Sequence, residues 1–211
     1  MTHHELGNPR RLAVGLALAF ALVAPGIASA QAAYRMGFGA TGGVIMPLGA
    51  INDLHDAGWQ LSALADWWKP ARTVGFRAEV SYARLGGQSI GLGSTTVSGS
   101  NLGLFSVVGD ALVMLRSDTA SVSPYLIGGL GVYHTSDHRT AVSGDVSNRE
   151  SNTSTKLGLN AGLGIERRLA GARFFAEARL HSVFGGALGS QGGRKDAVYL
   201  PITVGVRVGG P

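Results

Sequence analysis

The sequence contains no cysteine. Disulfides and thiol chemistry are therefore excluded, and so is a lipid anchor built on a cysteine at a signal-cleavage site. Past residue 31, no stretch approaches the roughly 18–20 consecutive apolar residues of a membrane helix. Basic residues are only mildly in excess, 18 Lys and Arg against 13 Asp and Glu, and no basic run exceeds two residues. A phosphate-binding stripe is absent, so nucleic acid is not an expected partner. No sustained helical period appears after Gln31, and no Gly-X-Y repeat points to collagen.

Glycine is abundant instead, with 33 residues among 211, inside the apolar segments as well as between them. Glycine disfavours helices and suits curved sheets that need small inward-facing residues. The first 30 residues read as a secretory signal peptide. Arg10 and Arg11 supply its positive start, 12–24 is an uncharged apolar run, and Ala28-Ser29-Ala30 matches a small-residue cleavage site. The apolar run is too short for a spanning helix. Residues 31–211 then form one domain beginning at Gln31.

That domain divides into eight segments of alternating character, 34–46, 58–69, 74–85, 98–116, 123–135, 154–168, 172–184 and 197–208. Each is long enough to cross a bilayer as a tilted strand of ~9–11 residues. The linkers alternate in length: 70–73, 117–122 and 169–171 are short, whereas 47–57, 86–97, 136–153 and 185–196 are long. Short turns at one end and long loops at the other are the pattern of outer-membrane barrels, and an even strand number puts both termini on the periplasmic side. The expected fold class is all-β, an eight-stranded antiparallel up-and-down transmembrane barrel.

Period-two alternation sorts the faces. Phe174, Ala176, Ala178, Leu180 and Phe184 oppose Arg173, Phe175, Glu177, Arg179 and His181, and Val198, Ile202, Val204, Val206 and Val208 oppose Tyr199, Thr203 and Arg207. Alternation alone permits a soluble barrel with the apolar face inward. The signal peptide, the loop asymmetry and the small-residue content favour the apolar face outward. Lipid-interface aromatics are then Trp59, Trp67, Tyr82, Phe174 and Phe184. Arg77, Glu79, Asp110, Glu166, Glu177, Arg179 and Arg207 face a lumen just wide enough for side chains. Buried there, they must pair into an ionic network. Two features resist a simple strand pattern. Pro201 lies inside the last strand, to be accommodated by a bulge or a position beyond the lipid zone. Asn101-Gly103-Phe105 and Asp110-Leu112-Met114 fall out of phase if Asn101 and Asp110 both face inward, which predicts a bulge near 107–109.

The glycine-rich strand 34–46, the Pro124-Tyr125-Leu126-Ile127-Gly128-Gly129-Leu130-Gly131 strand and the ending Leu200-Pro201-Ile202-Thr203-Val204-Gly205-Val206 resemble the OmpA/OmpX-type outer-membrane β-barrel domain family over about 31–208. The resemblance implies insertion by the barrel-assembly machinery into outer-membrane lipid and lipopolysaccharide. Such barrels usually end on an aromatic insertion signal, from which the ending Val208-Gly209-Gly210-Pro211 departs.

Other motifs read as structural. Gly37-Phe38-Gly39-Ala40-Thr41-Gly42 matches G-x-G-x-x-G but has no following helix. Gly37, Gly39 and Gly43 are expected to keep the lumen clear. Gly87-Gln88-Ser89-Ile90-Gly91 lacks the helix of a nucleophile elbow. His181 and Ser182 are adjacent and so face opposite ways, unlike the His-x-Ser of lipid A deacylases. His134, Asp137 and His138 lack a placed third metal donor, with only Asp145 and Glu150 nearby in the loop. No catalytic, cofactor or metal residue is therefore expected. The leading expectation is a non-enzymatic monomeric envelope protein with a structural or surface-interaction role through its long loops, its extracellular partner unknown. The alternatives are a narrow pore or lipid- or ligand-binding barrel, a lipid A-modifying enzyme, and a soluble secreted ligand-binding barrel.

Overall fold

A computed structural model describes residues 34–49, 55–69, 73–87, 90–92, 95–98, 102–115, 122–143, 146–185 and 196–210. The expected signal peptide lies outside the described residues. Ten strands follow in order: β1 Arg35–Leu48, β2 His55–Trp68, β3 Val74–Gly87, β4 Ile90–Leu92, β5 Thr95–Ser98, β6 Leu102–Met114, β7 Ser123–Ser143, β8 Val146–Leu169, β9 Ala172–Val183 and β10 Ala197–Gly209. Eight of them, all but β4 and β5, form an antiparallel ring closed by the pairing of β1 with β10 and of β7 with β8. Closure removes the open edges that would otherwise seek partners.

The strand ends that flank the short connections, Trp68 and Val74, Met114 and Ser123, Leu169 and Ala172, gather at one end of the ring. Ala170 and Gly171 form the tightest connection, both with positive φ (50° and 83°), as a two-residue hairpin of matching twist requires. At the other end the expected loop 136–153 is a continuation of the barrel wall. The β7–β8 ladder runs on to Ser143 and Val146, and the short β4–β5 hairpin joins it through Val97 opposite Ala141. A polar Ser/Thr/Asn-rich segment thus keeps strand pairing past the apolar stretch, because the β7–β8 ladder meets the backbone's hydrogen-bonding needs.

Two expectations are corrected. The β6 strand contains no bulge: its even-numbered residues face inward from Leu102 to Met114 without interruption, and its registers with β3 and β7 are continuous. Phe105 points outward, and the inward positions above Asp110 are taken by Leu102, Leu104, Ser106 and Val108. The phase conflict came from assuming a lumen polar throughout. Pro201 needs no bulge either. The β10–β1 register runs straight through it, while the β10–β9 ladder skips Leu200 and Pro201 and resumes in the same register. The one register shift among the described pairings lies in β2, between Asp56 and Gly58.

The faces separate cleanly. Outward stand Phe38, Leu61, Leu130, Leu163 and Val206, with Leu157 and Val204 each 65% exposed. Inward and buried stand Asp66, Arg77, Glu79, Asp110, Glu166, Arg173, Glu177, Arg179 and Arg207. A water-soluble barrel would invert this arrangement.

Candidate functional site

Side chains fill the lumen. At the short-turn end an apolar cluster of Trp68, Leu112, Met114, Tyr125 and Ile127 helps to close it. At the long-loop end Ile45, Leu85, Leu102, Leu104, Val108, Tyr133, Val183 and Tyr199 do the same. The charged residues are buried beside and between these clusters, with Arg173, Glu166 and Arg207 towards the short-turn end where Arg207 lies against Trp68, and burial makes their pairing obligatory.

The ion pairs form one connected set. Arg179 Nη2 lies 2.7 Å from Glu79 and Nη1 3.2 Å from Asp110, and its Nε lies 3.4 Å from Glu177. Arg77 donates to Asp66 at 2.8 Å and also pairs with Glu177. Arg207 pairs with Asp66 and, at 2.6 Å, with Glu166, which also takes Arg173 at 3.2 Å. All seven of the charged residues assigned to the lumen therefore stand in ion pairs. Two members escaped the sequence reading, Asp66 and Arg173. The phase of β2 carried a signal for Asp66: Trp59 and Trp67 face outward, so Asp66 must face inward.

Neutral groups complete the network. The Tyr125 hydroxyl donates to Glu177 at 2.5 Å and the Asn160 amide to Asp110 at 2.7 Å. Arg77 lies over the Phe175 ring and Arg207 over Trp68, each 5.2 Å from the ring centroid, an attraction of the cation to the ring face. Glycine is required where aromatic rings cross the lumen. A Cβ on Gly164 would fall 2.4 Å from the Tyr125 ring, and one on Gly75 2.6 Å from Trp68. At the long-loop end the Tyr133 hydroxyl meets His181 Nδ1 at 3.0 Å, and His181 stacks on Tyr199 with centroids 4.9 Å apart.

The other candidate residues are spread over the wall. Trp59, Tyr82, Phe174 and Phe184 are exposed on its outer face and Trp67 is half-buried there. Trp59 and Tyr82 pack together at 5.7 Å. The G-x-G-x-x-G segment lies wholly within β1. His181 faces the lumen and Ser182 the outer wall, and Ser89 lies outside the described residues. His134 is on the outer wall, its Nδ1 2.8 Å from the Thr155 hydroxyl. The arrangement holds rings and ion pairs in place, and the hydroxyl–imidazole contacts it makes include Tyr133 with His181 in the lumen and Thr155 with His134 on the outer wall.

No family model matches the chain, and no curated protein matches it. Among solved structures, a major outer membrane protein from Thermus thermophilus is similar over 84% of this chain and 99% of that one, at 12% identity and a TM-score of 0.57. Neisserial surface protein A aligns over 83% of this chain and 95% of its own, at 17% identity and a TM-score of 0.43. The attachment invasion locus protein of Yersinia pestis aligns over 83% and 98%, at 14% identity and a TM-score of 0.45. The Thermus likeness shows the barrel fold; the other two are looser.

Proposed function

We propose that this chain is a non-enzymatic outer-membrane β-barrel of the OmpA/OmpX type, closed to ions. On this reading it is exported through a cleaved signal peptide and inserted by the barrel-assembly machinery. It sits as a monomer among outer-membrane lipid and lipopolysaccharide with both termini periplasmic. The barrel is a rigid mount, and its structural or surface-interaction role is carried at the long-hairpin end. The observation that carries this reading is the inverted polarity of the wall. Aliphatic side chains cover the outside, and nine charged residues are buried within. Exposed apolar area on this scale has one favourable solvent, the hydrocarbon of a bilayer. The Thermus likeness supports the fold on which the reading stands.

The same polarity counts against a soluble secreted barrel. The filled lumen counts against a pore, since an ion would have to displace packed apolar side chains and part several ion pairs. The opposite facing of His181 and Ser182 counts against a lipid A-modifying enzyme. Fractionation of producing cells tests the placement: the protein is expected with the outer membrane and shows heat-dependent gel mobility. Recovery in the soluble periplasm overturns it. In planar bilayers the protein is expected to carry no steady current, and large, steady channels would restore the pore.

A further inference from the structure

On the outer wall, towards the long-loop end, the strand register stacks three rows of side chains. Val80, Val107, Val132 and Leu157 lie opposite one another across β3, β6, β7 and β8. Two residues further out come Tyr82, Phe105, His134 and Thr155. Two further again come Trp59, Arg84, Gly103 and Ser136, on β2, β3, β6 and β7. Aliphatic wall thus gives way to aromatic and hydroxyl groups and then to a cation, the order met on leaving hydrocarbon for headgroups.

The outermost rows are not evenly filled. A Cβ on Gly103 would lie 3.6 Å from the Tyr82 hydroxyl and 3.7 Å from the Ser136 carbonyl. The missing side chain therefore leaves a notch with the phenol at its edge. Arg84 stands exposed on one side of that notch, and its guanidinium has no ion pair among the described residues. His134, half-buried on the other side, holds Thr155 through Nδ1 and keeps Nε2 as its other polar atom. Arg84, Tyr82 and His134 thus stand at register positions around Gly103, over a wall of valine and leucine.

We propose that this notch binds the phosphate of an anionic membrane lipid, whose acyl chains run down along Val80, Val107, Val132 and Leu157. The inference rests on the lipid-facing reading of the wall and adds a specific site to it. Guanidinium is the natural partner of a phosphate oxygen. Tyr82 and His134 supply further hydrogen-bonding groups that a zwitterionic headgroup, with its own ammonium, would leave less used. Arg167, also exposed on the outer face of β8 but near the short-turn end, provides the control for generic charge.

The test uses the full-length barrel folded into phosphatidylcholine vesicles doped with phosphatidic acid, with retained lipid read by native mass spectrometry. The unmodified protein is expected to retain phosphatidic acid over phosphatidylcholine. Arg84→Gln should lose about fivefold of that preference, the effect of one basic group near a charged lipid surface. Gly103→Val should lose it without changing charge, because it fills the notch. Arg167→Gln should keep it. Equal loss in Arg84→Gln and Arg167→Gln overturns the site in favour of general surface charge. Displacement of the lipid by millimolar inorganic phosphate overturns the acyl-chain half of the proposal. An inserted barrel with no preference refutes the notch and spares the barrel reading, whereas failure to insert at all refutes both.

Discussion

Removing the Arg179 guanidinium is the sharpest perturbation of the lumen. It strips both oxygens of Glu79 of their 2.7 Å donor and takes away the 3.2 Å partner of Asp110. Glu177 keeps Arg77 and Tyr125, so the damage falls on two carboxylates. Leaving a buried charge without its partner typically costs about 3–5 kcal/mol, and Arg179→Met is expected in that range. Glu79→Gln is milder: Arg179 retains Asp110 and Glu177, and the loss is that of a charge-assisted hydrogen bond, about 1.5–3 kcal/mol. The double variant carries neither the orphaned Glu79 nor the surplus cation. Its cost should fall short of the sum of the singles by roughly 1.5–3 kcal/mol, at the upper end of coupling between contacting residues. Urea titration of each variant folded in lipid vesicles, followed by tryptophan fluorescence, measures all four corners of the cycle. If the single effects add to within ~0.5 kcal/mol, the pair is uncoupled and the network argument fails.

Three further outcomes are expected. Val204→Arg, on the bare outer face of β10, should destabilise the vesicle-folded barrel by ~2–4 kcal/mol if that face meets mid-bilayer lipid; a neutral result in the same titration refutes the orientation. Gly164→Ala sets a Cβ against the Tyr125 ring and should cost about 1–3 kcal/mol by overpacking. Tyr125→Leu in the same chain should relieve part of that, and an equal cost in both backgrounds would show that the ring is not the obstacle. Ala170→Asn places a residue tolerant of the left-handed region at φ 50° and should raise stability by roughly 0.5–1 kcal/mol, whereas a lower urea midpoint would contradict the two-residue turn.

Alternation made the barrel legible. In β9 and β10 every second residue changes character, so strand number, face and turn ends can be read without any tertiary information. The charged lumen set was legible for the same reason, since a mid-strand Glu or Arg on an otherwise small-residue face has few other places to go. Asp66 was hidden between two outward tryptophan positions whose size drew the reading of β2. Arg173, one residue into β9, shares the face of Glu177 and Arg179 but stands at the strand's end, outside the mid-strand charges that defined the lumen set, and Glu166 on the adjacent strand pairs with it. The imagined bulge in β6 shows a different limit. Periodicity reports which residues share a face, but the lumen's polarity changes along its axis, and Leu102 and Leu104 share an inward face with Asp110. The extended β7–β8 hairpin was hidden by composition, because Ser, Thr and Asn suit loops and solvent-exposed strands alike.

Which acid meets which base could not be read from any segment, because the decisive pairs cross the ring. β3 and β9 sit four places apart among eight strands, as far apart as the ring allows. Yet Arg77 meets Glu177 and Glu79 meets Arg179, each pair 100 residues apart in sequence. The pairing is reciprocal: each strand contributes one Arg and one Glu two residues apart on the inner face, and each Arg finds the other strand's Glu. Neighbouring strands can form their ladders one hairpin at a time, but these two bonds need a ring already narrow enough for side chains to touch at its axis. They therefore require the ring that the pairing of β1 with β10 closes. An open sheet in a bilayer would hold the same four charges unpaired beside hydrocarbon, a state heavily disfavoured. The cross-ring pairs thus favour the closed ring over an open sheet, and they need a circumference small enough for side chains of opposite strands to touch.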